Sequence, residues 1–251
     1  MSSDEETSLL LIILDINPDQ RFIIQDSISL TKYVDGIISF SNSHLMLKPS
    51  NKLAIIACDA QTSQFVYPKE DTTLLMNVRQ LDGQYELFTH TERTIRQSLQ
   101  KVILNAKEYF EEDQVESLLA GALAMGLCYI HRLDRELVAG EKMNSRILVI
   151  TGSQDRVSQY MNYMNVFFTA QKQNVIIDVC SLDHDIGLLQ QGCDITGGLF
   201  LKVPHLQGFL QYLLWVFLPE PPIRSKLVLP PPVKVDYRAA CFCHRQLLDI
   251  G

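Results

Sequence analysis

The sequence has no basic run longer than two residues, and its formal net charge is −7. A domain that clamps nucleic acid by itself needs a concentrated basic surface to displace counterions from phosphates. Any role on DNA therefore has to come through partners. No apolar stretch reaches the roughly 18 to 20 residues that a membrane span requires. Residues Met1 to Thr7 are acidic and polar, the wrong composition for a secretory or organelle-targeting leader. The six cysteines are scattered, and Cys58, Cys128, Cys180 and Cys193 stand in apolar contexts. Thiols used as small hydrophobes belong to a reducing compartment, so the expectation is an intracellular protein.

Catalytic patterns are missing too. His131-Arg-Leu-Asp134 has the look of a kinase catalytic loop, but it stands in a helical stretch, and no Gly-rich loop or Asp-Phe-Gly accompanies it. Asp194-Ile-Thr-Gly-Gly198 lacks the lysine of a phosphate loop and leads into a strand, so a helix end and turn account for both glycines. No Ser/His/Asp or Cys/His set has a context that recommends it. The chain is expected not to be an enzyme.

What remains is an α/β pattern. Hydrophobic residues make up 47% of the 251 and charged ones 20%, ordinary values for one large domain with a sizeable core. The run Leu9 to Leu14 is uninterrupted aliphatic, which predicts a strand buried on both faces in the middle of a parallel sheet. Further strands are predicted at Lys52–Cys58, Gln64–Tyr67, Arg146–Thr151, Val175–Cys180 and Leu199–Val203. The second and third are close enough to pair as a hairpin, giving one antiparallel edge strand. Helical patterns fall at Asp26–Asn42, Thr91–Tyr109, Gln114–Arg132, Val157–Gln171, Ile186–Cys193 and Leu206–Phe217. In the third of these Ala120, Gly121, Ala124 and Gly126 are expected to let the helix lie close on the sheet. The architecture is a doubly wound, mostly parallel six-stranded sheet with helices on both faces, spanning residues 1–218. From 219 the composition turns Pro-rich, and residues 219–251 read as a stiff linker with little power to form a core.

Two groups of residues invite chemistry. Asp15, Asn17 and Asp19 follow the first strand, where an open α/β sheet keeps its ligands. They occupy the positions of the Asp-x-Ser-x-Ser motif of von Willebrand factor A domains, which helps hold Mg²⁺ or Mn²⁺ through oxygen ligands. Ser117 stands near the motif's threonine, and Thr151-Gly152-Ser153 replaces Thr-Asp-Gly, so the third-loop aspartate is lost at Gly152. The expected outcome is a degenerate site whose polar groups tie loops together. A metal-dependent adhesion module of the Mg²⁺ type is the alternative, and an enzyme using the same crevice a third reading. Near the C-terminus, Cys241 and Cys243 of Cys-Phe-Cys-His form half of a zinc set, or are ordinary reduced thiols.

A resemblance then covers nearly the whole chain. Tyr160-Met-Asn-Tyr-Met-Asn-Val166, Gly187-Leu-Leu-Gln-Gln191, Cys193-Asp-Ile-Thr-Gly-Gly198, Leu210-Gln-Tyr-Leu-Leu-Trp-Val-Phe-Leu-Pro219 and the stretch from Leu229 to His244 resemble the smaller von Willebrand A-like subunits of general transcription factor IIH. Ser41-Asn-Ser-His-Leu45 and Ser50-Asn-Lys-Leu-Ala54 fit as well. The resemblance implies a nuclear, non-catalytic subunit serving RNA polymerase II initiation and nucleotide excision repair. It implies as main partner a larger von Willebrand A subunit that ends in a RING-like domain, with other core subunits beside it. It also implies a C4-type zinc finger that starts at Cys241 and Cys243 and continues past Gly251, so that zinc belongs to the longer protein.

One helix is singled out for docking. Val157 to Gln171 carries no charge. At 100° per residue Val157, Met161, Met164 and Phe168 form a stripe expected to lie on the sheet. Tyr160, Tyr163, Val166 and Phe167 fall beside it, and Tyr160, Tyr163 and Phe167 are expected to be exposed and to bind the larger subunit.

Overall fold

The computed structural model describes residues 7–17, 27–69, 84–107, 116–138, 140–154, 157–230, 235, 237, 239–240 and 247–248. Strand β1 (Thr7–Asp15) is the axis of a six-stranded sheet. It pairs in parallel with β2 (Lys52–Cys58) on one side and with β4 (Met143–Thr151) on the other. The sheet order is β3-β2-β1-β4-β5-β6, with β3 (Ser63–Tyr67) antiparallel at one edge. β5 (Ile176–Ser181) and the short β6 (Phe200–Lys202) complete the other side, both parallel. The winding reverses between β1 and β4, so the crevice of the fold opens between Asp15 and Thr151.

The apolar run of β1 has the physical consequence expected of it. Leu10, Ile12 and Leu14 enter one core, while Leu9, Leu11 and Ile13 enter the other. The first core is closed by α1 (Ser27–Leu47), α2 (Gln84–Lys107) and the last long helix. The second is closed by α3 (Leu119–Glu136), α4 (Tyr160–Lys172) and α5 (Gly187–Thr196). The β2–β3 turn is built on Asp59, whose Oδ1 accepts the amides of Gln61 and Thr62, each at 2.6 Å.

Several boundaries differ from the sequence pattern for identifiable reasons. α1 runs on through Ser41-Asn-Ser-His-Leu45, where the Ser41 and Ser43 hydroxyls donate back to the carbonyls of Ile37 and Ser39, each at 2.8 Å. α4 is preceded by a 3₁₀ turn at Val157–Gln159. The last helix changes winding, from 3₁₀ (Leu206–Gly208) to α6 (Phe209–Tyr212) to a π turn (Leu213–Phe217). In α3, a Cβ placed on Gly126 would come within 3.1 Å of the Leu11 side chain, as the close-packing argument requires, but Gly121 and Ala124 face outwards. Cys128, expected to pack as a hydrophobe, is exposed; Cys58, Cys180 and Cys193 are buried.

Beyond Leu218 the chain is not simply extended. A short helix, α7 (Pro221–Arg224), follows, and Arg224 is buried. Two short strands, β7 (Ala239–Ala240) and β8 (Leu247–Leu248), pair antiparallel near the C-terminus.

Candidate functional site

Asp15 ends β1 and is buried at the reversal point. Its carboxylate gathers donors from three segments that are remote in sequence. Thr151 at the end of β4 donates its Oγ1–H to Oδ2 at 2.6 Å, and Ser117 ahead of α3 donates its Oγ–H to Oδ1 at 2.9 Å. The Asn17 amide donates to Oδ1 at 3.1 Å, and the Ser153 side chain also bonds the carboxylate. Ser153 further donates its amide to Thr151 Oγ1 at 3.1 Å, which fixes that hydroxyl. Burial pushes the Asp15 pKa up, opposed by bonds from Ser153, Thr151, Asn17 and Ser117. Cys58 Sγ lies 3.9 Å from Ser117 Oγ, and its thiol is pushed well up by burial and by the charge of Asp15.

This arrangement brings Asp15 and Ser117 together and uses up their side chains, with the buried Gly152 standing between Thr151 and Ser153, which both bond the carboxylate. Asn17 is buried beside them, and Asp19 lies outside the described residues. A hard cation takes six or more oxygens. Here the carboxylate oxygens accept bonds from their own chain, and Gly152 has no side chain to offer. The residues do not fit such an ion. Among the described residues no group of three or more His, Cys, Asp or Glu is placed to hold a metal. Cys241 and Cys243 also lie outside the described residues, so the half set of zinc ligands has no geometry to report.

The docking helix is corrected. Tyr163 is 8% exposed and Phe167 0%, while Met161 is 46% and Phe168 56% exposed. The face predicted to lie inward is the outward one, and Tyr160 and Met164 sit half-buried at its border. The apolar arc of α4 is wider than half a turn, so periodicity alone could not locate its centre. Shape decides instead. Gly192 on α5 leaves the space that the Phe167 ring fills, and a Cβ there would collide with that ring. Tyr163 stacks on Phe167 with ring centroids 5.8 Å apart.

A second polar centre has no counterpart in the sequence reading. Asp178, in the middle of β5, and Arg224, at the end of α7, form a buried bidentate pair at 2.8 and 2.5 Å. Nearby, Arg146 of β4 donates to the carbonyls of Phe217, Leu218 and Pro219 at 2.5, 3.0 and 3.1 Å. Burial and then the neighbouring charge of Arg224 act to lower the Arg146 pKa, with Asp178 opposing, to about 10. The signal was available: a charge inside an otherwise apolar strand, as in Ile176-Ile-Asp-Val-Cys180, requires a partner. His44 Nε2 lies 3.2 Å from the Lys52 carbonyl, and its pKa is lowered to about 4, first by burial and then by Arg146.

A sheet reversing between β1 and β4, with one antiparallel edge and an aspartate closing the first strand, defines a von Willebrand A-type domain. A von Willebrand factor type A structure from Catenulispora acidiphila shares the fold at a TM-score of 0.51 and 10% identity, covering 83% of this chain and 41% of that one. The family described as transcription factor Tfb4 matches residues 7–251, and the chain belongs to it. It is 32% identical over 252 residues to the general transcription and DNA repair factor IIH subunit tfb4 of Schizosaccharomyces pombe, covering 99% of this chain and 82% of that protein. The crystal structure of the TFIIH p34 N-terminal domain matches at a TM-score of 0.70 and 28% identity, over 85% of this chain and 99% of that one.

Proposed function

We propose that this chain is a subunit of general transcription factor IIH, acting in transcription and DNA repair in the nucleus. It works there as a non-catalytic scaffold rather than as an enzyme or a metal-dependent ligand-binding module. The family membership supports the complex. The observation that supports the scaffold role is the closed knot at Asp15, where the crevice of the fold is filled by the chain's own hydroxyls.

The partner surface we assign is the outward face of α4. Met161 and Phe168, seven positions apart on one side of a helix that carries no charge before Lys172, are exposed, with Tyr160 and Met164 beside them. The larger von Willebrand A subunit with its RING-like domain is the partner this face would take, and zinc would enter through the segment around Cys241 and Cys243 in a longer chain. Among the described residues no helix is long and apolar enough to cross a membrane. The experiment is affinity purification of the tagged protein from nuclear extract, followed by mass spectrometry. Recovery of the larger subunit and the other core subunits in stoichiometric amounts is expected. Recovery of the chain alone would overturn the reading.

A further inference from the structure

The segment after the last long helix is Pro-rich and looks in sequence like a free linker. In the structure it is gripped at successive points. The carbonyls of Phe217, Leu218 and Pro219 are held by Arg146. Arg224 then turns back, donating Nε–H to the Pro219 carbonyl at 3.0 Å and both terminal nitrogens to Asp178. Asp178 Oδ1 also accepts the Leu199 amide at 2.9 Å, so one carboxylate ties the entry of β6 and the segment beyond α6 to the same strand. Further along, the Tyr237 hydroxyl donates to the Asp194 carboxylate on α5.

The two holding points lie on opposite faces. Ile177 and Val179 belong to the core under α3, α4 and α5, and Cys180 to the other. By the strand's alternation Asp178 projects with Cys180. α5, which carries Asp194, packs on the opposite core. Arg224 is thus held on one face of the sheet and Tyr237 on the other.

We propose that Asp178 and Arg224 are a latch that makes residues 219–227 an integral strap of the domain and fixes where the chain beyond Tyr237 departs. A helix of four residues has no stability of its own in water, so order at Pro221–Arg224 has to come from tertiary contacts, the buried Asp178 pair foremost and the Lys48–Glu220 ion pair at 3.6 Å beside it. Releasing Arg224 would strand a buried carboxylate that nothing else neutralises as closely. A buried pair of this kind resists losing one partner far more than losing both. The strap is consequently rigid with the sheet.

Hydrogen exchange on the full chain, read by mass spectrometry, tests this. The amides of Ile223, Arg224, Lys226 and Leu227, which bond carbonyls of Glu220, Ile223 and Arg224, should be protected in the native protein, together with that of Leu199. Arg224→Met should lower their protection by roughly a hundredfold while the amides of β1 keep theirs, as local opening of one unit allows. Trypsin should then cut after Lys226 in the variant long before it does so in the wild type. Exchange of residues 223–227 at the rate of free peptide in the wild type would overturn the proposal, and that measurement decides even if the variant fails to fold. Unchanged protection in a folded Arg224→Met would overturn it too.

Discussion

Thr151 donates its hydroxyl proton to Asp15 over 2.6 Å, although 136 positions separate the two in sequence. The bond joins the carboxyl ends of the two central strands and places a hydroxyl where the buried Asp15 carboxylate needs it. Thr151→Val keeps the shape and deletes the donor. Losing a bond to a buried charged acceptor should destabilise the protein by roughly 1.5–3 kcal/mol. Urea denaturation checks it: the midpoint should fall with the slope unchanged. A shift of a few tenths of a kcal/mol would mean that the Asp15 knot contributes little.

Divalent cations should leave the protein as it is. A ligand at a hundredfold excess over its dissociation constant raises stability by about 2.7 kcal/mol, and a knot already filled by Ser117, Thr151 and the Asn17 amide has no place for one. A melting temperature independent of added Mg²⁺ or Mn²⁺ is expected. A steady rise that disappears in Asp15→Ala would show that a metal does bind.

Acid should weaken the fold through His44. Its pKa in the folded protein is lowered to about 4 from the ordinary 6.5, so between these values the unfolded chain binds the extra proton. The stability tied to the neutral ring is complete above the unfolded value and is lost as pH falls towards 4. The drop should be on the order of 3 kcal/mol at most. Asp15 acts in the opposite sense: a raised carboxyl pKa means that acid protonates the folded state first, which favours it. Denaturation midpoints between pH 7 and 4.5 should fall in the wild type and flatten in His44→Gln.

The fold was legible because hydrophobic periodicity carries it. Leu9 to Leu14 shows no alternation and has cores on both sides; Lys52–Cys58 and the βα repeats after Met143 follow the same logic. Part of the crevice was legible too, since Asp15 and Ser117 were singled out by their places in the chain and the structure brings them together. Thr151 stands in the loop that lacks the motif's aspartate, and nothing in its sequence context marks it as the donor to Asp15. What the sequence could not convey depends on shape and on distant partners. The latch joins a strand residue to one 46 positions later across a Pro-rich segment, and composition alone marks such a segment as a linker. The inward face of α4 is chosen by the hollow at Gly192, which lies on another helix.

Filling that hollow should be costly. With Gly192 replaced by Ala, the new methyl would overlap the Phe167 ring, which is buried and stacked on Tyr163. Overpacking of a dense core is worth about 1–3 kcal/mol. Thermal denaturation of Gly192→Ala should show the loss, and Gly192→Ala combined with Phe167→Leu should recover part of it. A fully stable single variant would mean that α4 and α5 can slide apart at no expense.

Two adjacent phenylalanines provide the sharpest test of the assigned surface. Phe167 fills the core between α4 and α5, whereas Phe168 points to solvent with Met161. Phe167→Ala should therefore cost about 3–5 kcal/mol of stability, as large-to-small changes at fully buried aromatics do. Phe168→Asp and Met161→Asp should leave the denaturation midpoint within about 0.5 kcal/mol of wild type, as for other surface changes. If the outward face of α4 seats the larger von Willebrand A subunit, the same two changes should weaken co-purification by tenfold or more, roughly the 2 kcal/mol of a central anchor. The double variant keeps the comparison clean, because a charge on each turn of the stripe leaves no apolar path across it. Wild-type recovery of the partner by a folded Met161→Asp/Phe168→Asp protein would move the interface off α4. The exposed Trp215, in a shallow groove with Leu210 and Leu214 on the other side of the sheet, would then be the place to look.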